Sequence, residues 1–381
     1  MKLARSLFAL CCISPMTLAD PIFDDGNNLL TVGGWLGISL INSESDTFLA
    51  DASSRMNFHF HRNMGEGWKV EAKAEWGFNT IDHTTSLAFR GDSLQSQREG
   101  DFFFNRQGWV GVSHQGYGRL TAGKQWSIYY DVTEITDYFV TTGGLASGVY
   151  NFGTDGGISG TGRADSAIIY RKSWGAFTLG LQYQANVDNL IEVVPQECID
   201  NPEQPFCQDN NFNINYDDTY GIAALYHWQQ WQFGIAFNTG EYTPEDSRIS
   251  ADNDDALAFS AKYGTLYDKG LHLAAVYAHT QRHEIDDMGR IFDGDGYELM
   301  LTYTLENQLT LVSGLNWLES NNSEYNNANG EFRRRFYVLG LHYLWNNMAL
   351  VYLEAKLDDS SIGFDNLDEE NAYGVGMRVY F

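Results

Sequence analysis

The chain has 381 residues, with 50 acidic against 24 basic side chains and a formal charge of −26. That balance excludes nucleic acid as a natural partner, because phosphate affinity comes from lysine and arginine. No apolar run approaches the ~18–20 residues a membrane helix needs. The chain is nevertheless 14% aromatic, with 38 glycines and only 6 prolines, which excludes a helix-rich soluble domain as well.

Met1-Lys2-Leu3-Ala4-Arg5 is a short basic start, Leu7 to Ile13 is apolar, and small Thr17 and Ala19 precede Asp20. This pattern predicts a secretory signal peptide over 1–19, cleaved between Ala19 and Asp20, ahead of a folded domain at 20–381. Its apolar core is too short to remain as a spanning anchor. Cys11 and Cys12 lie inside it, and Leu10 stands where a lipoprotein signal wants a small residue. Cleavage removes Lys2 and Arg5 but no acid, taking the charge from −26 to −28.

Beyond Asp20, alternation with a period of two dominates, as in strands whose successive side chains face opposite ways. Lys69, Glu71, Lys73 and Glu75 hold odd positions, while Trp68, Val70, Ala72, Ala74 and Trp76 hold even ones. Phe177, Leu179, Leu181 and Tyr183 similarly oppose Thr178, Gly180 and Gln182. About sixteen such segments are predicted near 30–41, 54–62, 67–79, 102–113, 118–126, 163–172, 175–185, 217–228, 231–240, 255–265, 270–282, 295–305, 307–319, 332–345, 347–357 and 371–381. Short turns, such as Met64 to Gly67 and Gln115-Gly116, alternate with long links at 80–101, 127–162, 186–216, 241–254, 283–294, 320–331 and 358–370.

Tight turns on one side and long loops on the other are the sidedness of a membrane barrel. Only helices and closed barrels satisfy every backbone group in hydrocarbon, so a helix-poor membrane chain must be a barrel. The expected fold is all-β, a 16-stranded antiparallel transmembrane β-barrel. At the end of the chain Tyr373, Val375, Met377, Val379 and Phe381 occupy every second position, giving a closing strand an apolar outer face.

Much of the acid falls in expected loops, at Asp24-Asp25, Asp252 to Asp255, Asp286-Asp287 and Asp365 to Glu370, as a solvated rim. Asp293-Gly294-Asp295 lacks the spacing and final glutamate of a calcium loop, so no metal and no cofactor is assigned. Cys198 and Cys207 share a polar stretch with Pro202 and Pro205. In an oxidising compartment they read most simply as a disulfide within one external loop. A metal pair is the alternative, with no histidine near it.

The stretch Gly123 to Gly144, GKQWSIYYDVTEITDYFVTTGG, resembles the general diffusion porins of Gram-negative outer membranes. Gly123-Lys124, Tyr130-Asp131, Thr136-Asp137 and Gly143-Gly144 fall at that family's spacing. Asn105-Arg106 and Gly118-Arg119-Leu120 precede them, and Gly162-Arg163 and Tyr170-Arg171 follow, in its order. The closing strand is similar to the terminal signal that the outer-membrane barrel assembly machinery reads. The resemblance implies a homotrimer among outer-membrane lipids and lipopolysaccharide, passing ions and small polar solutes. It also implies that the link at about 127–162 folds into the barrel, and that residues 83–100 latch onto a neighbouring subunit.

By motif position, the resemblance makes Arg55, Arg106, Lys124 and Arg163 a basic wall facing Asp137, with Trp126 and Tyr130 on the rim. Two departures stand out. The family's second loop acid is Thr141 or Thr142 here, and a first-strand lysine is replaced by glycine near Gly33-Gly34. Physical chemistry supports an inward Arg55 without the family. Arg55, Asn57 and His59 share one strand face against Met56, Phe58 and Phe60, and an arginine in lipid costs roughly 2–4 kcal/mol at the midplane. The alternative for these bases is that they merely tie the loop to the wall.

Two other functions compete with passive diffusion. Tyr129, Tyr130, Tyr138, Phe139, Tyr150 and Phe152 crowd the loop, either as packing or as a stacking track for sugars. A barrel enzyme would need a catalytic set at one rim. The histidines at 59, 61, 83, 114, 227, 272, 279, 283 and 342 are scattered, with no nucleophile motif beside them.

Overall fold

A computed structural model describes residues 20–81, 102–151, 154–186, 214–244, 252–286 and 290–381. The signal segment including Ala19, the pair Cys198 and Cys207, Phe152 and most of the 80–101 link lie outside the described residues.

Among the described residues the regular structure is nearly all strand. In order these are β1 (Asp20–Asp24), β2 (Asn28–Ser43), β3 (Thr47–Asp51), β4 (Arg55–Gly65), β5 (Trp68–Phe78), β6 (Phe103–His114), β7 (Gly118–Trp126), β8 (Arg163–Trp174), β9 (Phe177–Gln184) and β10 (Ile214–Trp228). They continue with β11 (Trp231–Pro244), β12 (Asp252–Tyr263), β13 (Gly270–Ile285), β14 (Ile291–Thr304), β15 (Leu309–Ser320), β16 (Phe332–Trp345), β17 (Ala349–Asp358), β18 (Ser361–Ile362) and β19 (Ala372–Tyr380). All are hydrogen-bonded into one 19-stranded sheet. Setting aside short β1, β3 and β18 leaves sixteen antiparallel strands, closed where β19 pairs with β2.

Closure matches the first strand to the last. Gly34 and Phe381 exchange backbone hydrogen bonds of 3.0 and 3.1 Å. β1 then continues along the same edge of β2, with Asp20 opposite Val32.

Each strand sorts its side chains by parity. On β19, Tyr373, Val375, Met377 and Val379 are exposed on the outer surface. On β14, Tyr297's neighbours Leu299, Leu301 and Tyr303 face out, while Glu298, Met300, Thr302 and Thr304 are buried inside. At the short-turn end, Trp68, Tyr117, Trp174, Trp228, Tyr343 and Trp345 form an exposed aromatic girdle, where amphipathic rings meet headgroups.

Several boundaries differ from the periodicity. The turn expected at Ser173-Trp174 falls at Gly175-Ala176, and β11, β13 and β14 run further into the long-loop side. Hydrogen bonding continues there past the apolar band, and polar residues such as Thr239 and Asp255 pair in register. The 320–331 link contains a short helix, Ser323–Asn329, which alternation with a period of two gives no reason to expect. The Asn322 side chain caps it, accepting from the Glu324 and Tyr325 amides at 2.9 and 3.1 Å.

The core lies inside the barrel, between the wall and an inserted loop. Ile128, Tyr129, Val132 and Val149 of that loop pack on Ala167, Ile169, Ala223, Ala236 and Ala258 of the wall.

Candidate functional site

After Trp126 the chain turns inward through a helical turn, Tyr130–Thr133, and a tighter one, Glu134–Thr136. Small wall residues make the space. Ile128 sits on Gly180 and Gly221, Val132 on Gly234, and Thr141 on Gly374. A β-carbon at Gly296 would lie 1.7 Å from the Ala146 carbonyl oxygen, and one at Gly314 would lie 2.1 Å from the Phe139 ring.

Two buried wall carboxylates hold the loop backbone, whose amides would otherwise be unpaired. Glu354 accepts from the Val140 amide at 2.9 Å, the Thr141 amide at 2.7 Å and the Thr141 hydroxyl at 2.6 Å. Glu298 accepts from the Ala146 amide at 2.9 Å and from the Thr136 hydroxyl at 2.5 Å. The returning limb is held by side-chain amides: Gln182 donates to Gly160 at 2.7 Å, Gln184 to Ile158 at 2.7 Å, and Asn238 to Ser159 at 2.8 Å.

Opposite this seated face a cavity of about 210 Å³ stays open between loop and wall. Its cationic lining is Arg55, Lys73 and Arg378, and its acidic lining is Glu75, Glu134 and Asp137. The Asp137 carboxylate accepts from the hydroxyls of Tyr130 and Tyr150, each at 2.9 Å. Trp126 and Tyr130 stack at 3.8 Å, and the Arg55 guanidinium lies 4.1 Å from the Trp35 ring.

Of the residues grouped by motif, Arg55, Asp137, Trp126 and Tyr130 line this cavity, whereas Arg106, Lys124 and Arg163 are not among its lining. Arg106 is buried on Glu75, with Nε 3.0 Å from the carboxylate. Arg163, 1% exposed, donates from Nε to Asp155 at 3.0 Å and lies 5.0 Å from the Trp126 ring. Lys124 bridges Asp155, at 3.1 Å, and Asp165. Burial raises the Asp155 carboxyl, but Arg163 and Lys124 together hold it below its usual range. These two bases therefore brace the loop where it rejoins the wall.

Sequence reasoning passed over Arg378 and Glu134, and took Arg171 only as a landmark of spacing. Arg378 alternates with the outward residues of β19, so parity alone places it inside, and its guanidinium lies 5.2 Å from Trp35. It supplies a cation opposite Gly37, three residues past the Gly33-Gly34 departure on the same strand. Glu134 carries no motif. Burial pushes its carboxyl up to about 8, with the charge of Asp131 adding to the effect. Arg171 grips Asp131 with two hydrogen bonds, at 2.6 and 3.0 Å.

Comparison with known proteins agrees with this geometry. Residues 8–363 match the family described as Gram-negative porin. Outer membrane protein S2 of Salmonella typhi is 23% identical over 100% of this chain and 99% of its own length. Outer membrane porin F of Salmonella typhi is 22% identical over 98% of this chain and 97% of its own. The solved structure of Salmonella typhi OmpF in complex with daunomycin superposes with a TM-score of 0.70 at 17% identity, covering 95% of this chain and 100% of that one. An anion-selective porin from Comamonas acidovorans gives a TM-score of 0.61 at 14% identity, over 93% of this chain and 100% of that one. A closed sixteen-stranded barrel with an apolar belt, an inward-folded loop and a family match over most of its length identifies the chain: it belongs to the Gram-negative porins, integral proteins of the outer membrane that form water-filled channels.

Proposed function

We propose that this porin is a general diffusion channel whose constriction sets Arg55, Lys73 and Arg378 against Asp137 and Glu134. The observation that carries this reading is their common lining of one gap of about 210 Å³. Opposed charges across a narrow aqueous gap create a transverse field that orders water, passing ions and small polar solutes while hindering apolar ones. Arg106, Lys124 and Arg163 act one step back, fixing Glu75 and the returning limb of the loop. No bond-making chemistry is assigned to the protein.

A sugar-selective channel is favoured less, because three of the aromatics at the constriction are already committed, although Tyr138 and Phe139 also line the cavity. Trp126 and Tyr130 cover each other's faces, and Tyr130 and Tyr150 spend their hydroxyls on Asp137. The outward parity of Tyr373, Val375, Met377 and Val379 supports a terminal assembly signal ending at Phe381. A homotrimer surrounded by lipopolysaccharide is the assembly we infer from family membership.

The test is Asp137→Asn in a planar bilayer under a salt gradient. Its reversal potential is expected to shift toward anions, and an unchanged potential would remove Asp137 from the constriction. Block of the wild-type current by micromolar oligosaccharide would overturn general diffusion in favour of a sugar channel.

A further inference from the structure

β4 and β5 carry a second lumenal cluster that the channel reading does not use. His59 and His61 are alternate residues of β4, so both imidazoles share the inward face with Arg55 and Asn57. Their ring centroids are 3.9 Å apart. On the neighbouring strand His61 is in register with Glu71, whose Oε2 lies 3.6 Å from His59 Nε2 and 3.9 Å from His61 Nδ1. One donor atom from each residue lies within 4.8 Å of the other two. We propose that His59, His61 and Glu71 bind a divalent transition-metal ion of the zinc type inside the lumen, on the short-turn side of the constriction.

The geometry is close to what such an ion requires. Zinc holds nitrogen and oxygen ligands at about 2.1 Å in a tetrahedron, which sets ligand atoms about 3.4 Å apart. The two separations from Glu71, 3.6 and 3.9 Å, are within about half an ångström of that spacing, and the two imidazole donors, within 4.8 Å of each other, close the rest by side-chain rotation. Two imidazoles and one carboxylate suit zinc, nickel or copper, whereas calcium and magnesium want oxygen alone.

The surroundings are organised for this. Arg119 donates to both Glu71 oxygens, at 3.0 and 3.1 Å, fixing the carboxylate as outer-shell partners do in metal sites. The Trp109 ring meets His59 edge-on at 5.5 Å and is itself covered by Arg119 at 4.6 Å. His59 Nε2 is a buried nitrogen whose carboxylate neighbour, Glu71, stands at 3.6 Å, just beyond hydrogen-bond length, so a bound ion would satisfy it more fully than the present contact does. The charge of Arg119 opposes the ion, so three ligands here give an affinity on the order of micromolar, well short of a four-ligand structural site.

A bound dication would add two positive charges to the lumen, lowering the current and favouring anions. That consequence rests on the channel reading, whereas the binding does not. The experiment uses full-length folded protein in detergent, stripped with EDTA and titrated with zinc chloride by calorimetry, with cobalt chloride as a spectroscopic probe. One site per chain and a tetrahedral cobalt spectrum are expected. His61→Gln and His59→Gln should each weaken binding at least about tenfold, while His227→Gln leaves it unchanged. Heat-modifiable gel mobility and EDTA-state conductance equal to wild type certify that the variants are folded. In bilayers, zinc should depress the wild-type current and spare His61→Gln. Absence of saturable binding, or equal binding by a His59→Gln/His61→Gln double variant, overturns the site and leaves the channel reading standing. Loss of binding in the variants supports the site even if the current ignores zinc.

Discussion

Two arcs of one barrel wall present opposite interiors. Across β4, β5 and β6 the inward side chains are long and charged, with Arg55, Glu71, Lys73, Glu75 and Arg106 in succession. Across the arc that the loop covers they shrink to Gly180, Ala223, Gly234, Ala258, Gly296 and Gly314. Both arcs obey the same alternation, so parity does not distinguish them. Volume does: a loop folded inside a closed cylinder needs space, and the wall gives it by truncating side chains where the loop seats. Charge is kept where water flows. The covered arc then needs new partners for the loop's backbone amides, and Glu298 and Glu354 supply them.

Filling the space should disturb this division most. In Gly296→Val the new β-carbon would fall 1.7 Å from the Ala146 carbonyl, a backbone atom that can move only with the loop. Overpacking of this kind costs about 1–3 kcal/mol. The expected outcome is a lower melting temperature, a higher single-channel conductance and entry of larger uncharged sugars in liposome swelling. Wild-type conductance and melting together would mean that the glycines do not seat the loop. Removing a hook comes next. Glu354→Gln keeps the shape but loses the charge shared by two amides, a hydroxyl and His342 at 2.9 Å. Hydrogen bonds to charged groups contribute about 1.5–3 kcal/mol, so the loop should loosen and open-channel current noise should rise. A quiet trace identical to wild type would assign the seating to packing alone.

The same contrast explains what the sequence made legible. The barrel was readable because lipid outside and water inside impose a period of two on every strand. Arg55 was placed inside by Met56 and Phe58 beside it, and the loop was located by the family's spacing around Lys124 and Asp137. The seating was hidden, because a wall glycine and a turn glycine are the same letter. Gly314 opposes Phe139 and Gly374 opposes Thr141 only after closure brings together residues far apart in the chain. Glu298 and Glu354 read as ordinary inward polar positions for the same reason. Lys124 and Arg163 were grouped with Arg55 by motif, yet their role follows from Asp155, a loop acid whose position no strand pattern predicts. Arg378 differs from these: its place between the outward residues Met377 and Val379 was open to alternation, and it was passed over although nothing hid it.

The finest test of the open arc is its dependence on pH. Glu134, on the loop, shares the cavity lining with Arg55, Lys73 and Arg378, and burial together with Asp131 raises its carboxyl to about 8. A carboxyl raised this far is neutral at pH 6 and ionises as the pH passes through that value. At pH 6 the lining then carries three cations, Arg55, Lys73 and Arg378, against the carboxylates Glu75 and Asp137, an excess of one positive charge. At pH 9 Glu134 restores the balance, so the reversal potential should drift toward cations between these limits. Glu134→Gln should hold the potential at its low-pH value throughout. The shift is a single charge screened over about 10 Å at 0.1 M salt, so it should grow as the bathing salt is diluted. A drift that survives Glu134→Gln would move the titrating group from the constriction to the acidic outer rim, where dilution alone would also change the selectivity.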